Sequence, residues 1–151
     1  MNKAIYFDMD GTVANLYDVE NWLPMLRAED PTPYLIAEPK VDMVELVKIL
    51  DQLKNNGYTI GIITWLSMNS TEGYKKKVRE AKAEWISKFF PFNFDEIHMV
   101  KYGAPKHTIA KIKKGILVDD NKEVRANWLK YGGNVIDAKP KTWLDNLRKL
   151  V

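Results

Sequence analysis

Five short apolar runs rich in β-favouring residues punctuate this chain, at 4–7, 58–64, 96–100, 116–118 and 134–136. Segments with helical spacing lie between them. That alternation predicts βαβ units closing into a parallel sheet of about five strands, an α/β class. The runs are continuous rather than alternating in polarity. Each strand therefore needs cover on both faces, which places helices on both sides of the sheet.

The helical segments can be read from their spacing and their stops. Val41, Val44, Leu46, Val47, Leu50 and Leu53 recur at three- and four-residue steps, and Asn56-Gly57 ends the pattern. A longer stretch from Glu72 to Phe90 carries Val78, Ala81, Trp85 and Phe89 on one face and stops at Pro91. Pro105 can open a third helix, expected to run to about Lys114. A fourth covers 123–131 before Gly132-Gly133, and Thr142 is expected to cap a last one over 143–150. Residues 13–40 break the rhythm. They hold Pro24, Pro31, Pro33 and Pro39 among several aromatics, and read as a small insertion after the first strand.

Length and composition narrow the setting. A chain of 151 residues is expected to form one domain, 1–151, able to bury roughly 68–70% of its unfolded surface. It has no cysteine, which removes disulfides, thiolate metal sites and cysteine nucleophiles. No run approaches the ~20 apolar residues of a membrane span, and the start lacks a secretory pattern, so a soluble, cytoplasmic protein is expected. Charge is uneven. Residues 1–100 carry 11 Lys/Arg against 15 Asp/Glu, and 101–151 carry 12 against 5. The basic third either faces an anionic partner or forms solvated helix surfaces.

Chemistry concentrates where strands end, the side on which open α/β sheets bind ligands. Asp8-Met9-Asp10-Gly11-Thr12 follows the first run, Thr64 closes the second, and Asp119-Asp120 follows the fourth. Four converging carboxylates repel one another unless protons or a cation intervene. Oxygen ligands without Cys or a placed His favour a hard cation such as Mg²⁺, often shared with phosphate. Lys101 and Lys106, beyond the third run, could neutralise further charge. The alternative is structural: Asp8 and Asp10 capping a turn, and Asp119-Asp120 capping the next helix.

The run Tyr6-Phe7-Asp8-Met9-Asp10-Gly11-Thr12 resembles the first motif of the haloacid dehalogenase (HAD) superfamily, an apolar strand followed by DxDGT. Ile62-Ile63-Thr64 resembles its second motif, and Ile116-Leu117-Val118-Asp119-Asp120 its fourth. The resemblance covers about residues 3–136 in the family order. It implies a three-layer Rossmann-like fold and a Mg²⁺-dependent phosphomonoesterase. In that reading Asp8 is the nucleophile that forms an aspartyl-phosphate. Asp10 is the general acid and base, and its main-chain carbonyl is a metal contact. Asp8 and Asp120 are metal-ligating carboxylates, and Thr64 binds the phosphoryl group. Gly11 permits the bend, Thr12 holds the loop, and Asp119 orients water or the lysine. Lys106 is the preferred third-motif lysine, being preceded by Pro105 at a helix start, and Lys101 competes.

Specificity in this superfamily comes from an inserted cap, and here only 13–40 is available. An open site suits a large substrate such as a nucleic-acid end, or relies on another subunit for closure; the oligomeric state is not given by the sequence. Tyr17, Trp22 and Tyr34 could stack on a nucleobase or could form the insertion's own small core, Trp22 with Leu16, Met25 and Leu26. Trp65 and Ser67 would flank the phosphate. The layout is loosely similar to the 5′(3′)-deoxyribonucleotidase branch, which implies a phosphorylated small molecule, a nucleotide, as substrate. The alternatives are a polynucleotide-end phosphatase, and a phosphate-binding regulatory domain without turnover.

Overall fold

A computed structural model describes residues 3–151. Five strands, β1 (Ala4–Phe7), β2 (Thr59–Trp65), β3 (Glu96–Val100), β4 (Ile116–Asp119) and β5 (Asn134–Asp137), form one sheet in the order β3-β2-β1-β4-β5. Every neighbouring pair is parallel. Thr64 and Asp119 belong to the ends of strands rather than to the loops after them, since β2 and β4 each run one residue past the apolar stretch.

Strand order places the chemistry. The chain steps outward from β1 to β2 to β3, then returns to the other side of β1 for β4 and β5. The reversal leaves a crevice beyond the carboxyl ends of β1 and β4, the usual ligand site in open α/β sheets. Asp8 N–H donates to Val118 O at 3.0 Å, so the first acidic residue stays in register with β4 as it leaves the sheet.

Alternate side chains of β1 feed two cores. Ile5 and Phe7 pack with Ile60, Ile62 and Val118 beneath α3 (Met43–Asn55) and α7 (Trp143–Arg148), which supply Leu46, Leu50, Leu53, Trp143 and Leu147. Ala4 and Tyr6 face the opposite side, with Ile63, Leu117 and Trp128 of α6 (Lys122–Lys130). This two-sided burial is what the unbroken apolar runs require. None of the helices in the described residues is long and apolar enough to cross a membrane.

The insertion leaves and returns on adjoining backbone. Asn15 N–H donates to Glu38 O at 2.8 Å and Lys40 N–H to Val13 O at 2.8 Å, so its two stems pair with each other. Between them lie a 3₁₀ turn (Leu16–Asp18) and two short helices, α1 (Trp22–Arg27) and α2 (Thr32–Ile36). Helix α2 rests on α4 (Glu72–Phe89) through Tyr34, packed with Leu16, Leu66, Tyr74, Val78 and Ala81.

Two helical expectations fail. The segment after Pro105 is helical only as α5 (Lys106–Ile109), not to Lys114. Ala110 turns extended, and the next amides find partners outside a helix: Lys111 N–H on Glu96 Oε1 at 3.1 Å and Ile112 N–H on the Tyr6 hydroxyl at 3.1 Å. Thr142 adopts helical backbone angles and makes no side-chain cap, because residues 140–143 already turn through Trp143 N–H to Pro140 O.

Candidate active site

A tight loop at the end of β1 sets the site. The amides of Thr12, Val13 and Ala14 all converge on Met9 O, and Gly11 bends at φ +82°, a region that suits a residue without Cβ. A Cβ on Gly11 would lie 2.2 Å from Asp120 Oδ2. The loop is also tied from outside. Lys40 Nζ donates to Gly11 O and Ala138 O, each at 2.6 Å, joining the stem of the insertion to the end of β5.

Asp8, Asp119 and Asp120 each bring a carboxylate oxygen within 4.8 Å of the others. Lys106 enters this group from the start of α5, 3.0 Å from Asp8 Oδ1 and 2.8 Å from Asp119 Oδ2. Thr12 lies between strands, its hydroxyl 3.2 Å from Asp8 Oδ2 and 3.3 Å from Asp120 Oδ1, while it accepts the Asp120 amide at 3.2 Å. Lys101, the competing lysine, is exposed at the end of β3.

The capping alternative does not describe the acidic pair. Asn121 caps α6, accepting from the amides of Glu123 and Val124. Asp119 is instead engaged by Lys106 and by the Asn121 amide at 2.9 Å, which leaves Asp120 turned toward Asp8.

Three carboxylates against one ammonium leave an uncompensated negative charge, and the titration of the group follows. Burial and the Asp8 charge push the Asp119 carboxyl well above its ordinary range, against the pull of Lys106. Burial and Asp8 push Asp120 up to about 7. Lys106 moves upward in spite of its burial, because the charges of Asp8 and Asp119 outweigh the desolvation. A cluster of oxygen donors short of positive charge fits a hard divalent cation.

Asp10 departs from the expected four-carboxylate cluster. Its Oδ2 lies 2.9 Å from Lys82 Nζ, a residue the motif reading missed. Lys82 is only 1% exposed and comes from the buried side of α4. It also donates to Thr64 Oγ1 and Trp65 O, both at 2.7 Å, and lies 5.1 Å over the Tyr34 ring. Its signal in the sequence was positional: it sits four residues after Val78 and three before Trp85, on the apolar stripe. Burial raises the Asp10 carboxyl while Lys82 pulls it down, with a net upward shift.

A cavity of about 590 Å³ opens above these groups, bounded by Asp8, Asp10, Lys106, Asp119 and Asp120 at its floor and by the insertion on one side. Of the aromatic candidates, Tyr17 is 51% exposed, half-buried Trp22 meets it edge-on at 5.0 Å, and both line the cavity. Trp22 is therefore not an insertion core, since α1 buries none of its residues. Tyr34 is 5% exposed and is core. Trp65 donates its indole N–H to Ala104 O at 2.9 Å and packs against Tyr102, with Lys106 Nζ 5.5 Å over its ring. Ser67 is buried at the rim and accepts from the Ser70 hydroxyl at 2.9 Å.

No protein-family model matches the chain, and no curated protein does. Solved structures do resemble it. A D,D-heptose 1,7-bisphosphate phosphatase from Burkholderia thailandensis aligns with TM-score 0.55 and 14% identity over 95% of this chain and 84% of its own. The same enzyme from B. bronchiseptica, complexed with magnesium and phosphate, aligns with TM-score 0.53 and 14% identity over 99% of both chains. The chain therefore shares the parallel five-stranded α/β fold of these phosphatases.

Proposed function

We propose that the protein is a Mg²⁺-dependent phosphomonoesterase of the HAD type, acting through an aspartyl-phosphate on Asp8. The observation that carries this reading is the convergence of Asp8, Lys106, Asp119 and Asp120 at the crevice between β1 and β4. The two structural neighbours are phosphatases, one of them holding magnesium and phosphate, and this supports the reading.

Asp8 attacks phosphorus, the P–O ester bond breaks, and the leaving oxygen takes a proton from Asp10. Water then attacks the phosphorus of the aspartyl-phosphate and gives its proton to Asp10. Asp8 leaves as carboxylate and inorganic phosphate is released. A carboxylate is a weak nucleophile, so positioning and charge neutralisation carry most of the acceleration. Lys106 holds Asp8 from one side and the Thr12 hydroxyl from the other. Thr64 donates to the phosphoryl oxygens. Asp8 and Asp120, with the Asp10 carbonyl, would hold Mg²⁺, which would supply positive charge to the transferring group when bound. The upward shift of Asp10 suits a group that must deliver a proton.

The substrate we propose is a small phosphate ester carrying a flat ring, a nucleotide. Exposed Tyr17 and the rings of Trp22 and Tyr102 border the cavity above Asp8 and support stacking. A sugar phosphate is the second reading, favoured by what the two structural neighbours are named for. Phosphate release from nucleoside monophosphates, sugar phosphates and 5′- or 3′-phosphorylated oligonucleotides, with Mg²⁺ and with EDTA, tests both. Nucleoside monophosphates are expected to lead. A clear sugar-phosphate preference overturns the nucleotide reading, and the absence of Mg²⁺-dependent release from every ester overturns the enzyme.

A further inference from the structure

Lys82 has a bonding pattern that ordinary packing does not require. An ammonium buried to 1% on a helix stripe is costly unless every hydrogen finds an acceptor. Here all three do: Asp10 Oδ2 at 2.9 Å, Thr64 Oγ1 at 2.7 Å and Trp65 O at 2.7 Å. Two of those acceptors come from neighbouring strand ends, Asp10 in the loop after β1 and Thr64 near the end of β2.

The direction of each bond matters. Lysine is a donor with no acceptor capacity, so the Thr64 oxygen must accept from it. The Thr64 hydroxyl hydrogen is then free for an acceptor other than Lys82, although Thr64 itself is fully buried beneath Trp65 and Ser67, which line the cavity. At Asp10 the ammonium occupies Oδ2, which leaves Oδ1 as the oxygen that can carry a proton. Thr64 and Asp10 are thus each committed to one orientation by the same cation.

We propose that Lys82 is a positioning residue of the phosphoryl-transfer site, fixing Thr64 as a donor to the phosphoryl group and Asp10 with Oδ1 toward the leaving oxygen. The proposal rests on the phosphomonoesterase reading and deepens it. Asp10 gives the Oδ1 proton to the leaving oxygen as the P–O ester bond breaks, and takes one back from the water that hydrolyses the aspartyl-phosphate. Both transfers weaken without Lys82. The first matters only when the leaving group is poor, and the second matters for every ester.

Lys82→Met, Lys82→Arg and wild type are compared with Mg²⁺ on ethyl phosphate, a poor leaving group, and on p-nitrophenyl phosphate, a good one. Thermal unfolding is recorded alongside. For Lys82→Met, kcat on ethyl phosphate is expected to fall about 10²- to 10⁴-fold, the range for a displaced general acid, with a much smaller change in KM. On p-nitrophenyl phosphate the same variant should release a rapid burst of one product per enzyme, then turn over slowly as phosphoryl-enzyme accumulates. Lys82→Arg keeps the charge beside Asp10 but not the three-way geometry. It is expected to fold and to lose kcat on ethyl phosphate with KM little changed, which tests the proposal even if the methionine variant does not fold.

Equal losses on both esters without a burst, or wild-type kcat in either folded variant, would overturn the proposal and leave Lys82 a packing residue. Wild type inactive on both esters would overturn the phosphomonoesterase reading beneath it, a result seen before any variant is compared.

Discussion

The ammonium of Lys106 stands 3.0 Å from Oδ1 of Asp8, across 98 residues of sequence. The contact joins the loop after β1 to the first turn of α5, and Asp119 at the end of β4 completes it at 2.8 Å. Three separate βα connections thus meet around one buried cation, and loss of that cation leaves buried Asp119 and partly buried Asp8 without a compensating charge.

Lys106→Met is expected to lower stability by about 3–5 kcal/mol, the usual consequence of removing one partner from a buried ion pair. Urea unfolding at neutral pH reads the loss, and Mg²⁺ should recover part of it by supplying charge to the same oxygens. Lys101→Ala, at an exposed position, should change neither stability nor kcat appreciably.

The acidic cluster predicts how Mg²⁺ binding depends on pH. In the metal-free protein the folded state holds protons on Asp119 and Asp120 more tightly than the unfolded chain does. Their contribution to stability therefore falls as pH rises from the ordinary Asp value of 3.8 toward about 7. A cation must displace those protons, so it binds better as they leave. The rise in Tm on adding Mg²⁺ should be small near pH 5 and grow through pH 7. A Mg²⁺-induced shift independent of pH would contradict the assignment.

Gly11→Ala combines a positive φ with a Cβ 2.2 Å from Asp120 Oδ2. The backbone alone costs about 1–2 kcal/mol. The displaced Asp120 should also weaken Mg²⁺ binding, so the Mg²⁺ concentration needed for half-maximal turnover should rise along with the loss of Tm.

Some parts of the site are legible in the sequence and others are not. Asp8, Thr64 and Asp119 sit at the ends of apolar runs, and a parallel sheet brings strand ends to one side, so their convergence follows from local pattern plus topology. Lys106 could be argued from Pro105 and a helix start. Lys82 could not be argued this way, because it lies mid-helix in a segment that also holds Lys75, Lys76, Lys77 and Lys88. Only its place on the stripe with Val78 and Trp85 set it apart, and its partners come from β2 and the β1 loop. The short α5 was missed for a similar reason. Amides at 111 and 112 leave the helix for Glu96 and Tyr6, partners distant in the chain.

Stacking in the cavity predicts a substrate-dependent effect. Tyr17→Ala, at an exposed ring that meets Trp22 edge-on, should raise KM for a nucleoside monophosphate by about tenfold, consistent with ~1–3 kcal/mol for base–aromatic stacking. Its effect on p-nitrophenyl phosphate should be smaller. Equal effects on nucleotide and sugar phosphate would show that the ring shapes the cavity without reading a base.

The central claim is that Asp8 carries the phosphoryl group in transit. Quenching wild type and Asp8→Asn during turnover of p-nitrophenyl phosphate with Mg²⁺, then measuring intact mass and locating any added phosphoryl group, tests it most directly. Wild type should carry one phosphoryl group on the peptide containing Asp8, absent in EDTA, while Asp8→Asn carries none and releases no phosphate. Phosphate release by Asp8→Asn at the wild-type rate, or a phosphoryl group on another residue, would contradict the account.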